Sequence, residues 1–238
     1  MCGRYTLTTN DYASVADALE ASYDEADVQA YRPRFNVAPT DVVPVLRVGP
    51  DGRRHLGPAM WGLVAPRDRE LARPPIQINA RSETVAERAL FRHAFARVRL
   101  GVVADGFYEW TGTRKQRQPI RFHRPDGRPF VFAAIATPAR HPGTGAEILR
   151  FAILTTTPNH VVEGVHDRMP VILDGADVDT WIRDIPPGVE ATTWLDGLRS
   201  LLRPAPDAAL VGTPASPRAN DVRNDDPACL VASPTLFG

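Results

Sequence analysis

The chain has 238 residues, 43% of them hydrophobic and 24% charged, a globular composition long enough to bury a sizeable core. Its 28 basic and 28 acidic residues cancel to a formal net charge of zero. That balance excludes a protein that coats nucleic acid through its whole surface, so any such contact must come from a local cleft that concentrates arginine. Lys115 is the only lysine; arginine's planar fork suits phosphate contacts, although a GC-rich genome explains the same bias.

Two cysteines occur, Cys2 and Cys229, at opposite ends of the chain. They form neither a disulfide framework nor a paired-cysteine metal motif, and the six histidines lack HxxxH spacing. No metal and no cofactor is therefore expected. No signal peptide or membrane-length apolar run is visible, so the expected location is cytoplasmic.

In chain order, Asn10 to Ser22 predicts a helix with Val15, Ala18 and Leu19 on one face. Val42 to Val48 predicts a strand, placed at a sheet edge by Pro44, with a hairpin turn at Asp51-Gly52. Ser82 to Arg97 predicts the clearest helix, capped by Ser82, with Val85, Ala89, Phe91, Phe95 and Val98 near helical spacing. Leu100 to Ala104, Phe107 to Trp110, Ile120 to His123, Phe130 to Ile135 and Ile148 to Thr155 predict successive strands. Short helices follow at Pro158 to Val165, Ala176 to Asp184 and Thr192 to Leu202, then a strand near Ala209 to Val211. The expected class is α+β: a single domain, 1–238, with a curved, mostly antiparallel, barrel-like sheet decorated by short helices.

Chemistry concentrates first at the N-terminus. Removal of Met1, favoured by a small second residue, exposes on Cys2 both a thiol and an α-amine, each partly deprotonated near neutrality. Such an aminothiol condenses with an aldehyde to an imine and then closes to a thiazolidine. The alternative is that Cys2 is merely a small residue. Three further segments mix polar and aromatic residues: INARSET (Ile78 to Thr84), ADGFYEW (Ala104 to Trp110) and GVHDRMPVIL (Gly164 to Leu173). Singly, each also reads as a surface arginine, an outward strand glutamate and a satisfied loop histidine.

Together with MCGRY at the start, RFNVAPT at Arg34 to Thr40 and MWGL at Met60 to Leu63, these segments occur in the order of a known family. The chain resembles the SRAP (SOS-response-associated peptidase) family, densely from Met1 to about Leu173 and with an echo in the tail from Asn220 to Pro227. The resemblance implies a protein that shields abasic sites in single-stranded DNA through a covalent crosslink to its N-terminal cysteine. Carried over by motif, Cys2 is the nucleophile and Asn79, Glu109 and His166 line the site, with Glu109 and His166 as acid/base groups. DNA contacts are expected from Arg4, Arg81 and Arg168 on phosphates and from Trp61 and Pro39 on flanking bases, against core and turn readings for the last two and, for Arg168, a structural ion pair with Asp167 or another acid. A monomer, associated with the nucleoid when bound to damaged DNA, is expected. The chain leaves the family pattern at Val64-Ala65-Pro66-Arg67, at Gly101 and Ala104, and at Ile135-Ala136-Thr137. Other readings are an amidotransferase or thiol peptidase using Cys2, and a non-catalytic strand reader in which Cys2 is incidental.

Overall fold

The computed structural model describes residues 2–69, 71, 73–113 and 116–232. Five strands, Val42–Val48, Arg54–Trp61, Arg99–Ala104, Phe130–Arg140 and Glu147–Thr156, pair in a ring. The pairings are antiparallel except where Met60 and Trp61 run parallel to Arg150 and Phe151 and close the barrel. Strand side chains alternate between faces, and here both faces are apolar. Val102, Ala104, Phe132, Ala134, Phe151 and Ile153 cluster with Tyr5, Phe107 and Phe122 of a second sheet. Val103, Val131, Ala133, Ile135, Ala152 and Leu154 of opposite parity pack with Val15, Phe95, Trp181 and Leu198 from the helices. The α+β class with a barrel core and short helices is the one the sequence predicts.

The second sheet runs in the order Val211–Pro214, Gln116–His123, Gly106–Thr113, Tyr5–Leu7, Arg34–Val37. The N-terminal strand is thus paired on both sides, Tyr5 standing opposite Phe107 and Val37. Asp105 anchors it: its carboxylate accepts from Thr6 Oγ1 at 2.6 Å, Thr8 Oγ1 at 2.6 Å and Arg121 Nη2 at 2.9 Å. Arg121 crosses directly over Gly106, where a Cβ would sit 2.5 Å from its Nε. The chain's second residue is therefore held by a rigid sheet and not by a frayed terminus.

Most predicted strands are found, several longer than their apolar runs. Two expectations are corrected. Pro44 does not mark an edge, because Val45 and Leu46 pair with Val102 and Gly101 on the far side. The proline lies just outside that doubly paired stretch and faces Pro58, so neither ring's missing N–H breaks the ladder. The predicted helix from Ser82 to Arg97 is helical only over Arg92–Arg97. Ser82 instead donates its backbone N–H to Thr155 O, and turns follow through residue 91. Glu83 is pulled away to Arg168. Tertiary hydrogen bonds override the helical spacing of Val85 and Phe91, which are buried all the same. Among the described residues no helix is long and apolar enough to cross a membrane.

Candidate active site

The doubly paired N-terminal strand places Cys2 in the core between the two sheets, fully buried, with its Sγ donating to Arg4 O at 3.7 Å. Burial, and next the nearby Glu109 carboxylate, push the Cys2 thiol well up, so it rests protonated. Met1, whose removal the sequence reading requires, lies outside the described residues.

Asn79 comes from a short strand, Asn79–Arg81, running parallel to Ile153–Thr155. Its Nδ2 donates to the Cys2 carbonyl at 2.9 Å. Its Oδ1 is buried with no hydrogen-bond partner among the described residues, leaving one strong acceptor beside Cys2.

Glu109 sits mid-strand in Gly106–Thr113, at 2% exposure. Burial raises its carboxyl to about 7, within range of acid/base work at neutral pH. His166 follows the short helix His160–Glu163, which Asn159 caps through Val162 N. Its Nδ1 accepts from the Arg168 backbone N–H at 3.0 Å. The exposed Asp167 carboxylate also lies 3.0 Å from Nδ1, but an amide N–H can only donate, so the proton resides on Nε2. Nε2 then faces Glu109 Oε2 at 3.9 Å. Burial lowers the His166 pKa, which keeps the ring neutral near pH 7.

Glu109 and His166 open into a cavity of about 290 Å³ walled by Gly3, Arg4, Trp110, Arg117 and Asn220. Two guanidiniums flank the Trp110 ring, Arg117 at 5.0 Å and Arg4 at 5.9 Å from its centroid. Arg4 also donates to Asn36 Oδ1 at 2.8 Å and Ala219 O at 2.9 Å, which fixes its direction. The structure thus brings Cys2, Asn79, Glu109, His166 and Arg4 together from four separate segments. The sequence did not single out four wall residues. Gly3, Trp110 and Asn220 stand inside quoted motifs, whereas Arg117 carries no local signal.

The remaining expected DNA contacts divide. Arg81 is exposed at the strand end next to Asn79 and Pro39 is half-buried in a turn, so both have accessible surface. Trp61 is a correction. It is fully buried, donates Nε1 to Ile78 O at 2.8 Å and stacks on Phe151, so it offers no face to a base. Closing the barrel with Trp61 turns its side chain inward. Arg168 takes the ion-pair reading: Nη1 and Nη2 hold both Glu83 oxygens, at 2.6 and 2.8 Å. This pair ties the His166 loop to the segment after Arg81. The fold also brings Asp24, Asp27 and His55 within reach of one another, a grouping that local spacing does not reveal.

The chain is 32% identical over 231 residues to the abasic site processing protein YoqW of Bacillus subtilis, covering 95% of this chain and 97% of that one. It is 34% identical over 197 residues to the abasic site processing protein YedK of Escherichia coli, covering 81% and 84%. The abasic site processing protein HMCES of Xenopus tropicalis is 27% identical over 272 residues, covering 98% and 78%. In fold, it matches a solved Bacteroides thetaiotaomicron protein with a TM-score of 0.78 at 20% identity, covering 98% of this chain and 100% of that one. The model of the SOS response associated peptidase (SRAP) family matches residues 1–222, and the chain belongs to that family.

Proposed function

We propose that this protein captures abasic sites in single-stranded DNA as a covalent thiazolidine on Cys2, after Met1 has been removed. The observation that carries the reading is the meeting of a carboxyl near pKa 7 and a neutral histidine in one cavity, next to a buried Cys2 whose thiol feels the Glu109 charge and whose carbonyl is held by Asn79. The abasic sugar rests as a closed hemiacetal. His166 Nε2–H gives its proton to the ring oxygen as the C1′–O bond breaks, while Glu109 takes the C1′ hydroxyl proton and returns it to Nε2, so the aldehyde is exposed and the imidazole stays neutral. The Cys2 amine attacks C1′, and Glu109 relays the protons that let water depart, leaving an imine. Glu109 then takes the thiol proton as sulfur adds to C1′, and the imine nitrogen receives a proton. Aldehyde and aminothiol thereby give thiazolidine and one water.

The raised thiol favours this order over thiol-first chemistry. A peptidase or amidotransferase cysteine needs a depressed pKa, and burial here moves Cys2 the other way. Arg4 and Arg81 hold phosphates beside the lesion, and Pro39 lies against a flanking base. The protein acts as a monomer in the cytoplasm, associating with the nucleoid at damaged DNA. A denaturing gel of the processed protein mixed with an abasic single-stranded oligonucleotide tests the reading. A shifted band that is absent for Cys2→Ala supports it. No shift, with Met1 removal verified by intact mass, overturns it.

A further inference from the structure

One wall of the cavity around Glu109 and His166 carries a guanidinium to which the capture chemistry gives no task. Gly112 allows the tight end of its hairpin: φ is +84°, and a Cβ there would sit 2.3 Å from Gln116 O. Across the two strands Arg117 stands opposite Gly112 and Pro119 opposite Trp110. Arg117 and Trp110 are therefore diagonal neighbours on one sheet face, within reach of each other. The guanidinium carbon lies 5.0 Å from the centre of the indole.

Asn220 fixes this pair from the tail. Its Oδ1 accepts from Trp110 Nε1 at 2.7 Å, and its Nδ2 donates to Arg117 O at 3.1 Å. Trp110 is half-buried and Arg117 is exposed, and both line the cavity. The Arg117 side chain makes no hydrogen bond or ion pair with another described residue. A guanidinium lying over an indole face keeps its N–H donors at its edge, free for a forked acceptor. Arg4 brings a second positive charge to the same wall, whereas Asp221 is held by Arg223. The single carboxyl among the lining residues is Glu109, and burial disfavours its charged form. Two cations around one cavity, with no fixed anion among its lining residues, are complemented by a phosphate. The volume of about 290 Å³ is at the lower end for small-molecule sites, which suits a sugar lacking its base.

On the reading that abasic sugars are captured at Cys2, we infer that Arg117, backed by Trp110, grips a phosphate adjoining the captured sugar and makes phosphorylated aldehydes the preferred substrate class. Arg4 is partly committed to Asn36 and Ala219 O, while Arg117 has its whole fork free. Arg117 thereby adds to phosphate binding by Arg4 and Arg81, and it does so inside the cavity where the aldehyde reacts.

The test compares processed wild type, Arg117→Ala and Arg117→Lys on small aldehydes: 2-deoxyribose 5-phosphate, 2-deoxyribose 3-phosphate and the uncharged 5-O-methyl ether of 2-deoxyribose. Intact mass follows the second-order rate of adduct formation. Wild type is expected to favour at least one phosphate over the ether by about tenfold, the scale of a charge-assisted hydrogen bond. Arg117→Ala loses that preference while reacting with the ether at the wild-type rate. Arg117→Lys, which keeps the charge but not the fork, recovers part of it. Preference for either phosphate supports the inference and assigns the side of the sugar that Arg117 holds. No preference in wild type, a preference that Arg117→Ala retains, or an ether reaction slowed as much as the phosphates overturns it. If no aldehyde reacts, the capture reading fails, and inorganic phosphate then decides for Arg117. It is titrated against the Trp110 indole N–H resonance, assigned with Trp110→Phe. A saturable shift that Arg117→Ala abolishes upholds the grip; no Arg117-dependent shift overturns it as well.

Discussion

His166 presents a protonated Nε2 to the carboxyl of Glu109 at 3.9 Å, while the Arg168 amide holds the other ring nitrogen. Two groups that burial drives toward neutrality thus share one cavity, where each can lend or take a proton near neutral pH.

Stability should record the buried acid. In the folded protein Glu109 titrates near 7, against an ordinary carboxyl value of about 4.3. Its folded-state pKa is raised, so its contribution is fully present below about pH 4.3 and is lost as pH rises through 7. Glu109→Gln removes that loss. The variant should gain on wild type by on the order of 3 kcal/mol between pH 4 and pH 8. Urea melts at several pH values measure the difference; a pH-independent gap between the two proteins would refute the assignment.

The proposed order of steps separates amine from sulfur. After Met1 removal, Cys2→Ala keeps the α-amine and loses only the thiol. Borohydride should therefore trap this variant on an abasic oligonucleotide as a reduced imine, although no band shift survives denaturation without reductant. Wild type should give the shift in both cases. If Cys2→Ala cannot be trapped at all, the amine does not act first.

Much of this site was readable before any coordinates. Cys2, Asn79, Glu109 and His166 stand in compact motifs whose residue types already suggest the chemistry, but only the strand that carries Glu109 is visible in the sequence; those at Tyr5–Leu7 and Asn79–Arg81 are too short to show a pattern. What escaped was long-range. Trp61 was open to a base-stacking and a core reading, and only the parallel pairing with Phe151 reveals that it is enclosed. The stretch from Ser82 has helical spacing, but Thr155 and Arg168 claim its backbone and its Glu83 from distant positions. Arg117 enters the site through a hairpin, and Asn220 arrives from the far end of the chain. Local periodicity does not encode such contacts.

Arg81 and Arg168 should behave oppositely in DNA binding. Arg81→Ala removes an exposed cation beside Asn79 and should lower the salt slope of single-strand binding by about 0.7. Arg168→Ala should leave that slope unchanged. It breaks the pair with half-exposed Glu83 instead, costing about 0.5–1 kcal/mol of stability. Fluorescence anisotropy across a salt series, paired with thermal melts, distinguishes them. A slope change confined to Arg168→Ala would reverse the two assignments.

Trp61→Ala should act on the fold before it acts on DNA. The ring is fully enclosed against Tyr5 and Phe151, and its truncation leaves a large cavity in the barrel. A loss of about 3–5 kcal/mol is expected. Trp61→Phe retains most of the packing and should recover most of the stability. Oligonucleotide affinity, measured where the variant is still folded, should match wild type. A stable Trp61→Phe protein with weakened single-strand binding would instead mean that the indole reaches the DNA.

The last expectation concerns how a chain terminus is made rigid enough for chemistry. Arg121 passes over Gly106 so closely that a Cβ there would meet its guanidinium at 2.5 to 2.9 Å. The same guanidinium grips Asp105, and Asp105 grips Thr6 and Thr8 of the N-terminal strand. Gly106→Ala should displace Arg121, loosen that clamp and lower stability by about 1–3 kcal/mol. Cys2 would then sample more positions relative to Glu109 and Asn79, so crosslinking should slow at least tenfold, the scale of a small misplacement. Arg121→Ala in the same background relieves the clash but leaves the clamp broken. The double variant should therefore regain little activity, and single-turnover rates of the three proteins decide it. Full recovery in the double variant would show that the clash alone mattered and that the Asp105 clamp does not position Cys2.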